Sequence, residues 1–370
     1  MKFTHRRAAL AGSAATVALL LAACGNPQGI GGEEGEEGAS ELPERVNLVV
    51  PYSEGGGTDT WARFLTPYLE ENVESGSSFV VENRPGGESI TGSNQFVQDG
   101  STDGSELLVT SGTTYFQALL GRPEVEFDFS VMEPLVLNGT GGVIYVSSST
   151  GIESVEDLAD YSETLTYGGI SATGLDLSLL QAMDVLEVDI EATFGFEGRG
   201  PARLALERGE VNLDYQTTSA YLTQVAPLVE SGDAVPLMSF GVIEDGEIVR
   251  DPNVPDLPTV EEAFESIHGE APSGPAYEAY RAFLIPGFVY QKGIWANEGT
   301  SEEIVQSVRD AAGALTDDEE FNEAAADVLG GYPLYPGEVA EDDLREAFNI
   351  DPEVQQYTID MLAEQHDTTF

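Results

Sequence analysis

Val50-Pro51-Tyr52-Ser53-Glu54-Gly55-Gly56-Gly57-Thr58-Asp59-Thr60-Trp61-Ala62-Arg63 carries an apolar strand, Val46 to Val50, through three glycines into a helical pattern with apolar Trp61, Phe64, Leu65 and Leu69. Glycine lets backbone N–H groups converge, and a helix start leaves its first N–H groups unpaired, so a turn of this composition suits an anion. It lacks Gly-Lys-Ser/Thr of a phosphate cradle and Gly-x-Gly-x-x-Gly of a dinucleotide turn. The competing reading is a plain tight turn with Asp59 as helix cap. No basic side chain is needed for useful affinity. Hydrogen bonds to a charged group contribute roughly 1.5 to 3 kcal/mol each and a helix terminus up to about 2, so four donors reach the roughly 8 kcal/mol of micromolar binding. Gly57 is expected at positive φ, where a β-branched residue would be strained.

Outward from this loop, β-rich runs alternate with amphipathic ones, which reads as α/β. The expected strands are Val46–Val50, Phe79–Val81, Leu107–Val109, Val143–Val146, Val211–Asp214 and Val235–Met238. Thr300-Ser301-Glu302-Glu303 is a capping box ahead of a helix whose apolar face is Ile304, Val308, Ala311 and Leu315. No internal repeat is visible in the sequence.

At the amino terminus Lys2, Arg6 and Arg7 precede an apolar run from Ala8 to Ala23, ending Leu21-Ala22-Ala23-Cys24-Gly25. This is expected to be an export signal over 1–23, with Cys24 lipidated as the first mature residue; an ordinary signal with a buried Cys24 is the alternative. Arg6-Arg7 leaves both the general and the twin-arginine export routes open. Residues 24–44 are rich in Gly and Glu and are expected to form a disordered acidic tether. Cys24 is the only cysteine, so neither a disulfide framework nor a thiolate metal site is expected.

The chain has 66 acidic and 15 basic side chains, a formal charge of −51. That balance excludes nucleic acid as a partner. Only Lys292 remains as lysine beyond the signal, and the acids are dispersed rather than collected in a tail. Such a surface fits a protein of a halophilic or halotolerant source working in concentrated salt. A hydrolase reading finds only His268 and His366 beyond the signal, both in acidic stretches, and no Gly-x-Ser-x-Gly turn. A calcium loop is suggested by Asp99, Ser101, Asp103 and Gly104, but the twelfth position is Thr110 rather than Glu. No catalytic residues, metal or cofactors are assigned.

The opening loop, followed by Val81-Glu82-Asn83-Arg84-Pro85-Gly86-Gly87, resembles the first domain of the Bug family of tripartite tricarboxylate receptors. Further matches fall in the family's order: Asp103-Gly104-Ser105-Glu106-Leu107-Leu108, Tyr167-Gly168-Gly169-Ile170-Ser171-Ala172-Thr173-Gly174, Arg208-Gly209-Glu210-Val211-Asn212, Asp251-Pro252-Asn253-Val254-Pro255-Asp256-Leu257-Pro258-Thr259-Val260, and Ala296-Asn297-Glu298-Gly299-Thr300. The resemblance implies a type II periplasmic-binding fold, two α/β lobes with a ligand cleft between them. The first lobe would comprise 45–142 and 263–370, and the second 143–262. It implies one jaw at Tyr52 and Gly55, Gly56, Gly57, Thr58 and Asp59, the other at Ser171, Ala172, Thr173 and Gly174. Ser111, Thr113, Thr217 and Thr218 are placed in the cleft by position. The sequence departs from the family pattern at Glu54, at Pro67 inside an expected helix, and at Leu177, where relatives often carry histidine. The implied function is an extracytoplasmic, non-enzymatic receptor, monomeric and lipid-anchored at the outer face of the cell membrane. It would deliver a small di- or tricarboxylate to large and small integral-membrane subunits. An orphan or sensor-input protein for an aromatic acid or amino acid is the alternative.

Overall fold

The computed structural model describes residues 41–244 and 246–370, which belong to one compact unit. The expected signal, Cys24 and the tether up to residue 40 lie outside the described residues. The strands are β1 Arg45–Val50, β2 Ser78–Asn83, β3 Glu106–Ser111, β4 Glu133–Asn138, β5 Gly142–Ser147, β6 Leu165–Gly169, β7 Ile190–Phe194, β8 Leu213–Thr217, β9 Ala234–Ser239, β10 Val242–Glu244, β11 Glu247–Val249, β12 Lys292–Ala296 and β13 Leu334–Pro336. The helices that shape the site are α1 Gly57–Asn72, α2 Ile90–Asp99, α3 Gly112–Leu119, α4 Leu177–Val185 and α5 Arg199–Glu207.

Two sheets form the frame, in the orders β13-β4-β12-β3-β1-β2 and β7-β6-β8-β5-β9, with β10 and β11 as a separate hairpin. β1 runs parallel to β2 on one side and β3 on the other. β6 runs parallel to β7 and β8 in the same way. The topology therefore repeats, β1-α1-β2-α2-β3 in one sheet and β6-α4-β7-α5-β8 in the other, although the sequence shows no repeat. Where a strand's successors pair on opposite sides of it, the loops at its carboxyl end part and leave a crevice, the usual binding place of open α/β sheets.

Burial explains the strand sequences. Val46, Leu48, Val49 and Val50 are all buried, since β1 is covered on both faces, and after Asn47 the run is apolar without alternation. α1 lays Trp61, Ala62, Leu65 and Leu69 on that sheet. It runs unbroken through Pro67, which is exposed, so the carbonyl freed by the missing N–H faces water. Leu177 is fully buried in the core under the second sheet. The cap lies one residue later than expected: Ser301 accepts from the Ile304 N–H at 3.4 Å, and the apolar Ile304 at the third helical position cannot complete a box, while the Thr300 hydroxyl donates to the Asn297 carbonyl. Ile304, Val308, Ala311 and Leu315 are buried as the periodicity requires.

The chain passes between the sheets at residues 139–141 and again at 285–291. The Thr140 N–H donates to the Phe288 carbonyl at 2.8 Å, tying the two passages together. At Gly139 a Cβ would stand 2.5 Å from the Val289 carbonyl oxygen, so only glycine permits this approach. Helices Pro275–Leu284 and Pro352–His366 pack with each other, and the first of them packs with α4. Residues 263–370 thus serve both sheets, not the first lobe alone. Among the described residues no helix is long and apolar enough to cross a membrane.

Candidate functional site

The loop after β1 is held from beneath. The Asp59 carboxylate is buried and accepts from the Gly55 N–H at 2.8 Å, Arg63 Nε at 3.0 Å and Asn83 Nδ2 at 2.9 Å. Burial pushes its carboxyl up, but the donors of Arg63, Gly55 and Asn83 outweigh that and hold it below the usual range. Asp59 was expected to line the ligand; its oxygens are instead engaged in shaping the loop. Gly55, at φ +78°, makes the turn, whereas Gly57 is the first helical residue, is not in the left-handed region, and a Cβ there would meet nothing within 4 Å. The positive φ expected at Gly57 therefore belongs to Gly55. Gly56 caps α1 without a side chain, so the N–H groups of Gly57 and Thr58 have no intrahelical partner.

The second loop repeats the device. Asp176 is buried, and one of its oxygens accepts the Ile170 N–H at 2.7 Å and the Ser171 N–H at 3.0 Å. The other accepts Arg199 at 2.8 Å and the Tyr167 hydroxyl. Arg199 also meets Asp214 and lies 4.4 Å over the Tyr215 ring. In both loops, an internal carboxylate paired with arginine takes up backbone donors that an anion was expected to claim. What remains at the second loop is chiefly hydroxyl: Ser171 Oγ and Thr173 Oγ1 stand 3.2 Å apart.

The two loops meet. The Thr173 hydroxyl donates to Glu88 at 2.7 Å, Gln117 Nε2 donates to the Thr173 carbonyl at 2.9 Å, and a Cβ on Gly174 would lie 3.4 Å from Thr113 Oγ1. Ala172 is buried in the core cluster. On the first sheet's side the Tyr52 hydroxyl sits 2.7 Å from Thr114 Oγ1 and 2.8 Å from Ser111 Oγ. Burial raises the Tyr52 pKa despite the hydrogen bonds of Ser111 and Thr114. Thus Tyr52, Ser111, Thr113 and the 171–174 loop are brought together. Thr217 and Thr218 lie at the end of β8. There Thr218 donates to the buried Asp251 at 2.7 Å, which also accepts the Tyr332 hydroxyl at 2.5 Å, so Thr218 fastens the passage between sheets. A cavity of about 550 Å³ opens beside it, lined by Ser219, Ala220, Leu222, Gly330 and Gly331 among others.

Sequence reasoning missed Glu88, Ser89, Asp176 and Arg199. Glu88 and Ser89 stand at φ +54° and +80°, and the Ser89 hydroxyl is buried with no partner. The doubled glycine before them signalled a turn, but nothing in their identity signals left-handed backbone. Asp176 stands just before α4 and Asp59 in the first turn of α1, both after a parallel strand and its loop, a signal available once the topological repeat is seen.

The rival chemistries meet ordinary surroundings. His268 stacks on Phe264 with centroids 4.2 Å apart, and His366 lies edge-on to Phe194. Asp103 accepts from the Ser105 N–H and the Ser101 hydroxyl, both at 2.9 Å, closing a turn before β3. Among the described residues no group of three or more His, Cys, Asp or Glu is arranged to hold a metal.

No family model matches the chain. It is 25% identical over 229 residues to BugT of Bordetella pertussis, covering 59% of this chain and 67% of that protein. Among solved structures, MatC from Rhodopseudomonas palustris with bound malate superposes with a TM-score of 0.61 at 23% identity, over 87% of this chain and 100% of that one. An R. palustris protein with adipate gives 0.58 at 24% identity, over 86% and 97%. The likeness shows the fold: a mixed α/β arrangement of two sheets flanked by helices, shared with these binding proteins.

Proposed function

We propose that the protein is a Bug-type extracytoplasmic solute-binding receptor that captures a small di- or tricarboxylate and hands it to the membrane subunits of a tripartite tricarboxylate transporter. The observation that carries this is the pair of loops at the carboxyl ends of the parallel strands β1 and β6, each shaped by a buried aspartate that is paired with an arginine. With the start of α3 they offer an uncapped helix start at Gly57 and Thr58 and the hydroxyls of Ser111, Thr113, Ser171 and Thr173. Such a set binds an anion through dipoles. The malate and adipate held by the two similar folds support the ligand class.

The reading includes a lipid anchor at Cys24, placement at the outer face of the membrane, and a source that lives in high salt. It assigns the protein no catalytic turnover. Calorimetry of the mature chain with malate, adipate and citrate tests it. One-to-one binding of at least one acid is expected, with the acid recovered unchanged. Absence of binding to every carboxylate, or hydrolysis of ester or phosphate substrates by the pure protein, overturns it. In the same expression system Cys24→Ser is expected to move the protein from membrane to soluble fraction; retention in membranes removes the anchor.

A further inference from the structure

Lys292 opens β12, and its register partner on β3 is Ser111, whose hydroxyl donates to Tyr52. Directly paired residues project to the same face of a sheet with Cβ atoms about 4.5 to 5.5 Å apart. β12 is antiparallel to β3, so its first residue lies at the carboxyl edge of β1 and β3, where the crevice forms. Ile294 and Ala296, which alternate with Lys292, are buried with Val50, Val109, Trp61 and Leu65. Lys292 therefore starts from the face that α1 covers, the helix whose unpaired N–H groups open the site.

Its ammonium is anomalous for this chain. The buried Arg309 and the partly buried Arg84 and Arg199 each sit against two or more carboxylates, and the partly buried Arg203 against one. Among the described residues no carboxylate lies within 4.0 Å of the Lys292 ammonium. Its hydrogen bond runs to the neighbouring Gln291 Oε1 at 2.6 Å. In a protein with 66 acids, a partly buried cation left without an anion has room for one from outside.

We propose that Lys292 is the cationic contact of the ligand site, holding one carboxylate of the captured acid while the α1 amino terminus and the nearby hydroxyls hold the other. The inference rests on the receptor reading and adds to it that two anionic groups are required. Burial lowers the Lys292 pKa to about 8. Tyr52, whose hydroxyl meets that of the register partner Ser111, does not titrate near that value, since burial raises it. Affinity for a dianion should then fall as pH rises past 8, by up to about tenfold per unit.

The test is calorimetry of the full mature chain with malate and adipate, both fully ionised from pH 7 to 9.5, for wild type, Lys292→Met and Lys292→Gln. At pH 7 both variants are expected to bind at least tenfold more weakly, with the unliganded melting temperature of Lys292→Met equal to wild type or higher, since an unpaired buried charge is gone. Wild-type affinity is expected to decline over that pH range and that of Lys292→Met to stay flat. Equal affinity of wild type and variants overturns the inference and leaves the receptor reading standing. If wild type binds neither acid nor any other carboxylate, both fall together. Should the variants not fold, a flat wild-type pH profile alone overturns the assignment.

Discussion

Glu88 sets its own carboxylate against the hydroxyl of Thr173, inside the place where a ligand carboxylate would be received. It does so from left-handed backbone, which a non-glycine residue adopts at a cost of order 1 kcal/mol or more. Glu88→Gly removes the competing charge, frees the Thr173 donor and relieves the backbone. A hydrogen bond to a charged group contributes about 1.5 kcal/mol or more, so malate affinity is expected to rise about tenfold with little change in melting temperature. Calorimetry decides it; weaker binding by Glu88→Gly would mean that Glu88 supports the ligand rather than rivals it. Asp59 shows the limit of reading residues singly. Its type and place pointed to the loop, but whether its oxygens face ligand or backbone depends on Arg63 and on Asn83, 24 positions away.

At the level of elements, α1 and its loop were legible because burial on both faces gives β1 the apolar run Leu48 to Val50 and the glycines mark its end. β4, β6 and β12 were not. Tyr167 to Gly169 read as loop because glycine has no strand preference, yet they pair along β7 from Tyr167↔Ala192 to Gly169↔Phe194. β12 joins the first sheet from far along the chain, a pairing that no local pattern encodes. The displaced cap at Ser301 has a local cause: either Thr300 or Ser301 supplies a hydroxyl, and the Asn297 carbonyl claims that of Thr300. The start of α1 yields a test of the helix as anion receptor. A side chain at Gly57 meets open space rather than the protein, so Gly57→Val should fold normally, with a melting temperature within about 2 °C of wild type. It would stand over the unpaired N–H groups and should weaken malate binding more than tenfold. Unchanged affinity would take α1 out of the site.

For the whole molecule, charge outweighs every local contact. Without Lys2, Arg6 and Arg7 the chain sets 66 acids against 12 bases, and the arginines are drawn into clusters such as Arg309 with Glu133, Glu338 and Glu341. Most surface acids therefore repel one another. The Debye length is about 10 Å at 0.1 M salt and about 3 Å at 1 M, so molar salt confines each carboxylate to its near neighbours. The melting temperature is expected to climb between about 0.1 and 3 M potassium chloride, and sucrose at matched water activity, which favours burial but screens nothing, should recover only part of the gain. A flat salt profile, or sucrose matching salt, would refute the electrostatic account. Occupancy of the crevice also has an optical side. The chain has two tryptophans, both fully buried, and the Trp295 indole donates to Thr110 Oγ1 at 3.0 Å and to the Tyr115 hydroxyl at 2.9 Å. Thr110 precedes Ser111 on β3, Tyr115 follows Thr114 on α3, and Lys292 begins the strand that carries the indole. The chromophore is thus wired into the back of the crevice, and the protein brings its own fluorescent gauge of occupancy, with no dye to attach.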